Sequence, residues 1–466
     1  MGNIFLSMSS YRQMCGRAGR TNLDAAGETF LIIAGKSATN SVERRHGVYL
    51  MTGELAPLRS SLHQGVGGGI EKLLLELICC ERIRSLSDVQ LFVGCTLLAT
   101  QNTPAEVAQW TKTATDFLLQ HRFISASTPS DGVDSGRLVQ YTATAMGRAT
   151  VLSGLAPQDA TELIQSLEQA RERFIIKGGF HAVFLATPPS FAGLTLNWAV
   201  FSALVRQLER QESDIYVVLE RLGVSECELA HYCVSPPRYA DLNRLGSRAR
   251  FYRRVYTAVL LYNLIQEKPL SSLVLECIAG GHKEGGGGKG RDAGNRGLVQ
   301  QLQKEASAFC NMVVVFCRLL NWSQLGTVVQ AYSRRLYYGV RDELLPLVRI
   351  SAELVPGFRA RALYGSGLRS AEDIVACDRQ VLVALLLDII PYESRDPVTG
   401  AQSVAGGSNT AVSAGQGGGK ERLGSRLACE NLAVAIISAA KELLLQETQL
   451  GAAAGRVGTC NSTTSH

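Results

Sequence analysis

The sequence predicts a mainly α-helical protein, and three observations carry that prediction. Apolar residues recur at three- and four-residue spacing through most of the 466 residues, the period of one buried helix face. Runs with β-type alternation are confined to one short stretch, "RFISAS" and "LVQYTAT", on either side of the turn-rich "TPSDGVDSG". A hydrophobic fraction of 46% beside 19% charged residues gives a chain of this length enough apolar surface for a large core.

In chain order, residues 1–45 open with "SSYRQMCGRAGR" (Ser9–Arg20), where three arginines and two glycines share one short run, followed by the apolar "ETFLII". Residues 46–156 contain three helical patterns: "GIEKLLLELICCERI" (Gly69–Ile83), "SDVQLFVGCTLLA" (Ser87–Ala99) and "PAEVAQWTKTATDFLLQ" (Pro104–Gln120). In the third, Val107, Trp110, Ala114, Phe117 and Leu118 line one face. The two β-rich runs follow, and three helices with a hairpin behind them is the order of a winged-helix module.

Residues 157–350 read as a continuous series of amphipathic helices. "DATELIQSLEQARERFII" (Asp159–Ile176) sets Leu163, Leu167, Ala170 and Phe174 on one side, and "RFYRRVYTAVLLYNLIQE" (Arg250–Glu267) is similar, with a basic first turn. The Gly-rich stretch 280–297 is expected to be a flexible insertion, and 394–426 a longer Gly/Ser-rich linker. That linker separates residues 351–393 from a last helix, Leu427–Leu445, and its tail within 427–466.

Several classes of function are disfavoured by composition. The longest apolar runs, such as "VLVALLLDII" (Val381–Ile390), are too short to span a bilayer, so no membrane partner is expected. The start "MGNIFLSMSS" has no basic n-region, and its Ser7 falls one position late for myristoylation. Twelve scattered cysteines without a C-x-x-C indicate reduced sulfur in the cytosol or nucleus. The seven histidines lie far apart, and Cys227, His231 and Cys233 lack a fourth ligand nearby, so no metal site is expected. A net charge of +6 permits nucleic-acid binding without arguing for it.

"YRQMCGRAGR" resembles motif VI of superfamily 2 nucleic-acid helicases in the Q-M-x-G-R-A-G-R form of the Ski2-like branch, and "DAAGETFLII" (Asp24–Ile33) resembles the strand that follows it. Further likenesses come in order: "YTATAMGRATVLSGLAP" (Tyr141–Pro157), "FHAVFLATPP" (Phe180–Pro189), "YSRRLYYGVRDELLPLVRI" (Tyr332–Ile350) and "RARALYGSGLRSAEDI" (Arg359–Ile374). Together they cover most of the chain and are similar to the polymerase-theta type of helicase-like region. The resemblance implies the end of a second RecA-like α/β lobe over 1–45, a winged helix over 46–156, a helical ratchet domain over 157–350 and a degenerate helix-hairpin-helix over 351–393. It implies ATP-driven work on single-stranded DNA in repair, in the nucleus, with DNA repair proteins as further partners.

The same resemblance turns Gln13, Arg17 and Arg20 toward ATP, with Arg20 as the foremost candidate for an arginine finger. Guanidinium groups suit that task because hydrolysis gathers negative charge on the γ-phosphate oxygens and arginine stays charged. ATP and Mg²⁺ are therefore implied, yet most of their site is missing from these residues. "FLIIAGKS" (Phe30–Ser37) has Phe30 at the first glycine position of a P-loop, "GGGGKGR" and "GQGGGKER" lack the following Ser or Thr, and no D-E-x-H box is present. The chain is accordingly expected to represent a truncated helicase or an incomplete gene product, inactive as an ATPase alone. The competing reading is a non-enzymatic module that holds single-stranded DNA or a repair partner.

For DNA contact the strongest segment is the expected helix beginning at "NWSQ", with Asn321 as N-cap and Gln324 closing a capping box. At about 100° per residue, Leu325, Val329, Tyr332, Leu336 and Val340 face inward, and Arg334, Tyr338 and Arg341 lie opposite, suited to phosphates and a stacked base. A solvated charged face is the alternative. In the helix-hairpin-helix the expected turn "ELVPGF" (Glu353–Phe358) has only Gly357, and Pro356 removes an amide donor. Arg359 and Arg361 are the candidates to compensate, with domain packing as the alternative role.

Overall fold

The computed structural model describes residues 6–19, 27–33, 42–55, 57–62, 69–127, 139–175, 178–189, 191, 196–236, 247–269, 289–393 and 418–459. Helix α1 (Met8–Cys15) is capped by the Ser7 hydroxyl, which accepts the Ser10 N–H. It touches α2 (Val42–Thr52), where the His46 ring donates to the Leu6 carbonyl at 2.7 Å and Met8 and Leu50 are buried. Gly27–Ile33, part of the stretch expected as a strand, has no regular secondary structure and pairs with nothing among the described residues. A strand is stable only where a neighbour satisfies its N–H and C=O groups. Here Ile33 rests on α2 at Gly47, while Phe30 and Ile32 are 82% and 88% exposed.

Three helical stretches then build the first layer of a large core. They are α3 (Gly69–Cys79), the pair α4 (Leu86–Gly94) and α5 (Leu97–Gln101), and α6 (Pro104–Gln120). The sequence suggested one helix where α4 and α5 stand, and Thr96 at the N-cap of α5 divides them. Capping boxes at Ser85/Asp88 and Thr103/Glu106 fix the starts of α4 and α6, each satisfying two otherwise orphaned donors. Strands β1 (Ile124–Ser127) and β2 (Gln140–Ala143) pair antiparallel, with Ile124 opposite Ala143. Helix α7 (Ala145–Ser153) follows at once. A Cβ at Gly147 would collide with the Phe123 carbonyl, so only glycine allows this approach.

The body comprises α8 (Pro157–Arg173), α9 (Phe180–Leu185), α10 (Trp198–Arg210), α11 (Asp214–Arg221), α12 (Glu226–Val234), α13 (Ser247–Ile265), α14 (Lys289–Leu319) and α15 (Ser323–Tyr338). Lys289–Gly297, expected as part of the Gly-rich insertion, instead belongs to α14. The rest of that insertion, 280–288, lies outside the described residues. The first core runs from Ile70 to Leu336.

The basic turn of α13 is not solvated. Arg253 and Arg254 are 6% and 4% exposed. Arg254 donates to the Thr187 and Phe184 carbonyls at 3.0 and 3.3 Å and to the Ser166 hydroxyl at 3.0 Å, and Arg253 donates to the Phe191 carbonyl. Arg254 thereby takes up the Thr187 carbonyl just past the wholly buried helix α9 and shares that of Phe184 with the Thr187 N–H.

A second core, from Val340 to Ala440, begins beyond α15. Its elements are a 3₁₀ turn (Asp342–Leu344), α16 (Leu345–Val348), α17 (Gly357–Gly365), α18 (Ala371–Ala376), α19 (Arg379–Glu393) and the long α20 (Gly418–Thr459). Residues 418–426, expected as linker, are helical, and 394–417 fall outside the described residues. The terminal helix thus exceeds Leu427–Leu445 at both ends, and Cys429, Ala433, Ile436 and Ala440 anchor its middle on the second core. Among the described residues no helix is long and apolar enough to cross a membrane.

Candidate nucleic-acid interface

Helix α15 is framed by two left-handed residues. Asn321 (φ 59°) ends α14, where its N–H reaches the Arg318 carbonyl at 3.1 Å and the Trp322 N–H reaches that of Cys317 at 2.8 Å. This pair of bonds is a Schellman closure. The expected capping box is therefore absent: Trp322 is the N-cap of α15 and makes no side-chain cap bond. Asn321 terminates one helix instead of starting the next, since asparagine tolerates positive φ. At the far end Gly339 (φ 66°) stops α15 at Tyr338.

The inward face is as expected for Leu325, Val329, Leu336 and Val340, all buried, while Tyr332 is half-buried. Tyr332 sits on the Gly178–Gly179 turn, where a Cβ at Gly179 would run into its hydroxyl. On the outward side Arg334 is exposed and has no ion-pair partner among the described residues. Tyr338 departs from the expected stripe, for its ring packs on the second core, and Tyr337 is the exposed ring, at 58%. Arg341 also leaves the stripe, because α15 ends three residues earlier; it is exposed and caps the 3₁₀ turn.

Glu267, which the sequence did not single out, organises this end. It sits at φ 64° beyond α13, accepts the Arg341 N–H at 3.0 Å, and takes both Nε and Nη2 of Arg361 at 2.7 Å. Burial pushes its carboxyl up, but the Arg361 fork and the Arg341 N–H outweigh that and hold it below the ordinary carboxylate value. Arg361 also meets Glu343 at 2.6 Å, and its pairing with Glu267 raises it further. Arg361 is thus matched by two carboxylates. Arg359 donates to the Leu354 carbonyl at 2.8 Å and lies 5.6 Å from the Phe358 ring. The two arginines expected beside a hairpin turn therefore make intramolecular bonds, and Pro356 and Gly357 begin α17.

At the other end of the chain Gln13 is exposed on α1 and Arg17 is exposed in the turn that follows it. Arg20 lies outside the described residues. These groups fit one side of a triphosphate in charge and hydrogen-bonding type. Neither a phosphate-cradling Gly-Lys loop nor a carboxylate, cysteine and histidine grouping of metal-binding type accompanies them among the described residues. The ATP and Mg²⁺ fit is partial.

Residues 157–280 and 290–336 match the model for the "DNA_pol_Q helicase like region helical domain", and residues 27–125 match a helix-turn-helix domain model. The chain is 30% identical over 401 residues to mouse (Mus musculus) DNA polymerase theta, covering 84% of this chain. It belongs to the family of polymerase-theta-type helicase-like regions. Human (Homo sapiens) Helicase POLQ-like is 24% identical over 409 residues and 85% of the chain. The ATP-dependent DNA helicase Hel308 of Methanocaldococcus jannaschii is 22% identical over 376 residues and 80% of the chain. The chain spans 15% of the length of the mouse protein, 34% of the human one and 25% of the archaeal one. Helix α15 falls at the end of the matched helical domain, so Arg334 is the outward cation of a family element.

Proposed function

We propose that this chain is the DNA-engaging portion of an ATP-dependent helicase of the polymerase theta type. In this reading it holds single-stranded DNA during repair in the nucleus and does not hydrolyse ATP by itself. Residues 1–45 serve as the edge of a RecA-like lobe that presents Gln13, Arg17 and Arg20 to a nucleotide. Residues 46–156 serve as a winged helix, 157–350 as the ratchet domain, and 351–393 as a helix-hairpin-helix relic whose Arg359 and Arg361 work chiefly in packing. ATP, when bound, would supply the energy of phosphoryl transfer and Mg²⁺ would neutralise its phosphate charge; the residues held here contribute charge on one flank.

The observation that carries the DNA reading is Arg334. It projects from a helix whose opposite face is fixed by Val329 and Leu336, each fully buried, so the cation is held in register at little further entropy cost. Arg341 continues the basic edge, and Tyr337 offers a ring for stacking. Fluorescence anisotropy with a labelled oligothymidylate across a salt series tests it. Replacing Arg334 and Arg341 together by Ala is expected to reduce the slope of log K against log salt by about 1.4, two phosphates at the single-strand value. An unchanged slope rejects the assignment. Phosphate release by the chain alone is expected at background; DNA-stimulated turnover would reject the ATPase part.

A further inference from the structure

Where the two cores meet, a cavity of about 790 Å³ opens between the end of α15 and the start of α17. Its size lies in the range of small-molecule sites. Leu264, Tyr338, Val340, Phe358, Leu385 and Ile389 give it apolar and aromatic walls. Glu267 and Arg361 line it as well, but Arg361 is taken up by Glu267 and by Glu343. The charged pair therefore offers no net attraction to a phosphate, and the interior suits an uncharged planar ring. Gln303 keeps its side-chain oxygen free for such a ring, since only its amide nitrogen is engaged, by the Tyr337 carbonyl at 2.8 Å. Asp388, also in the lining, adds an exposed acceptor.

The rim differs in charge from the interior. Lys268 lines the mouth and is exposed, and Arg341, directly after the lining residue Val340, is exposed too. We infer that this cavity takes one unstacked nucleobase of the bound single strand, with the flanking phosphates on Lys268 and Arg341. The inference rests on the single-strand reading above and adds a base subsite to it. The aromatic side chains Tyr338 and Phe358 supply stacking surface, which tolerates any base because each has a π-face. Gly339, with φ at 66°, ends α15 and itself lines the cavity, and the second core begins directly after it at Val340.

Anisotropy with two labelled oligonucleotides of equal length, one of thymidines and one of abasic spacers, tests the inference. The native chain is expected to bind the thymidine strand about tenfold more tightly, the worth of one stacked base. Ser366→Trp, at an exposed lining position, is expected to fill the cavity and cut that preference below about threefold while leaving abasic binding unchanged. Phe358→Leu, which keeps apolar volume and removes the ring, is expected to act in the same direction, with thermal unfolding followed for both variants. Equal affinity of the native chain for the two strands overturns the base subsite, as does a preference that survives both substitutions; in either case single-strand binding itself stands. Absence of binding to both strands rejects the base subsite and the single-strand reading together.

Discussion

Two arginine doublets in this molecule look alike in sequence and differ in role. "YRRVY" in α13 and "SRRLYY" in α15 both set paired cations among aromatic residues on long helices. The first doublet is buried. Arg254 has three protein acceptors and lies 4.5 Å from the Phe184 ring, and burial lowers it to about 10, so it stays charged at neutral pH. The second doublet divides its labour. Arg335 is half-buried and stacks 4.7 Å over Tyr332, whereas Arg334 points outward. What separates them is the surroundings. Carbonyls at the end of α9 demand donors in one place, and in the other the helix runs along the molecular surface.

The sharpest way to break this comparison is Arg254→Met. The change removes a desolvated cation and strands the Thr187 carbonyl in the core, leaving that of Phe184 with the Thr187 N–H alone. A loss of about 3–5 kcal/mol is expected, read as a fall in the urea midpoint without change in its slope. A loss under about 1 kcal/mol would mean that the buried doublet is no more structural than an exposed one.

A second effect comes from the opposite end of α9 and depends on pH. His181 is 2% exposed, accepts the Ile175 N–H on Nδ1 at 3.2 Å and stacks 4.8 Å from Phe174. Burial lowers it to about 4, so below pH 6.5 the unfolded chain binds a proton that the folded chain refuses. Stability is therefore lost as pH falls from about 6.5 to about 4, by up to about 3 kcal/mol at the acid end. His181→Phe should flatten this part of the pH–stability profile measured by urea unfolding. An unchanged slope between pH 6.5 and 4 would remove His181 as its source.

Much of the helical architecture was legible because buried faces leave a period: Leu163, Leu167, Ala170, Val329 and Leu336 all stand inside as their spacing suggests. The hairpin too was marked, by alternation on both sides of a turn-rich stretch. Other features depend on contacts between distant segments. Nothing local tells that Glu267 will meet Arg361 94 positions away, or that Arg253 and Arg254 will meet carbonyls more than 60 positions behind them. Asn321 misleads for a different reason, since asparagine suits both a helix start and a left-handed helix end. The stripe of Arg334, Tyr338 and Arg341 fails as a stripe because Gly339 ends the helix within it; the glycine itself was the available signal.

That glycine gives a smaller effect. Gly339→Ala forces a Cβ into left-handed backbone, at a cost of about 1–2 kcal/mol, and sets it 3.0 Å from the Gln303 amide nitrogen, which can shift. Because the bend joins the two cores, hydrogen exchange is expected to rise first in Gly339–Leu345 and α17. Protection unchanged there, with stability lost elsewhere, would show that the bend does not couple the cores.

The smallest expected effect on stability separates the doublets most clearly. Arg334→Ala removes an exposed side chain with no ion-pair partner among the described residues, so unfolding should change by less than about 0.5 kcal/mol. Its consequence should appear in DNA binding alone, as a drop of about 0.7 in the salt slope. Arg254→Met serves as the contrast, with a large loss of stability and no change of slope under conditions where it remains folded. If Arg334→Ala destabilised the protein and left the slope intact, the second doublet would be structural like the first, and the surface of α15 would lose its claim to the strand.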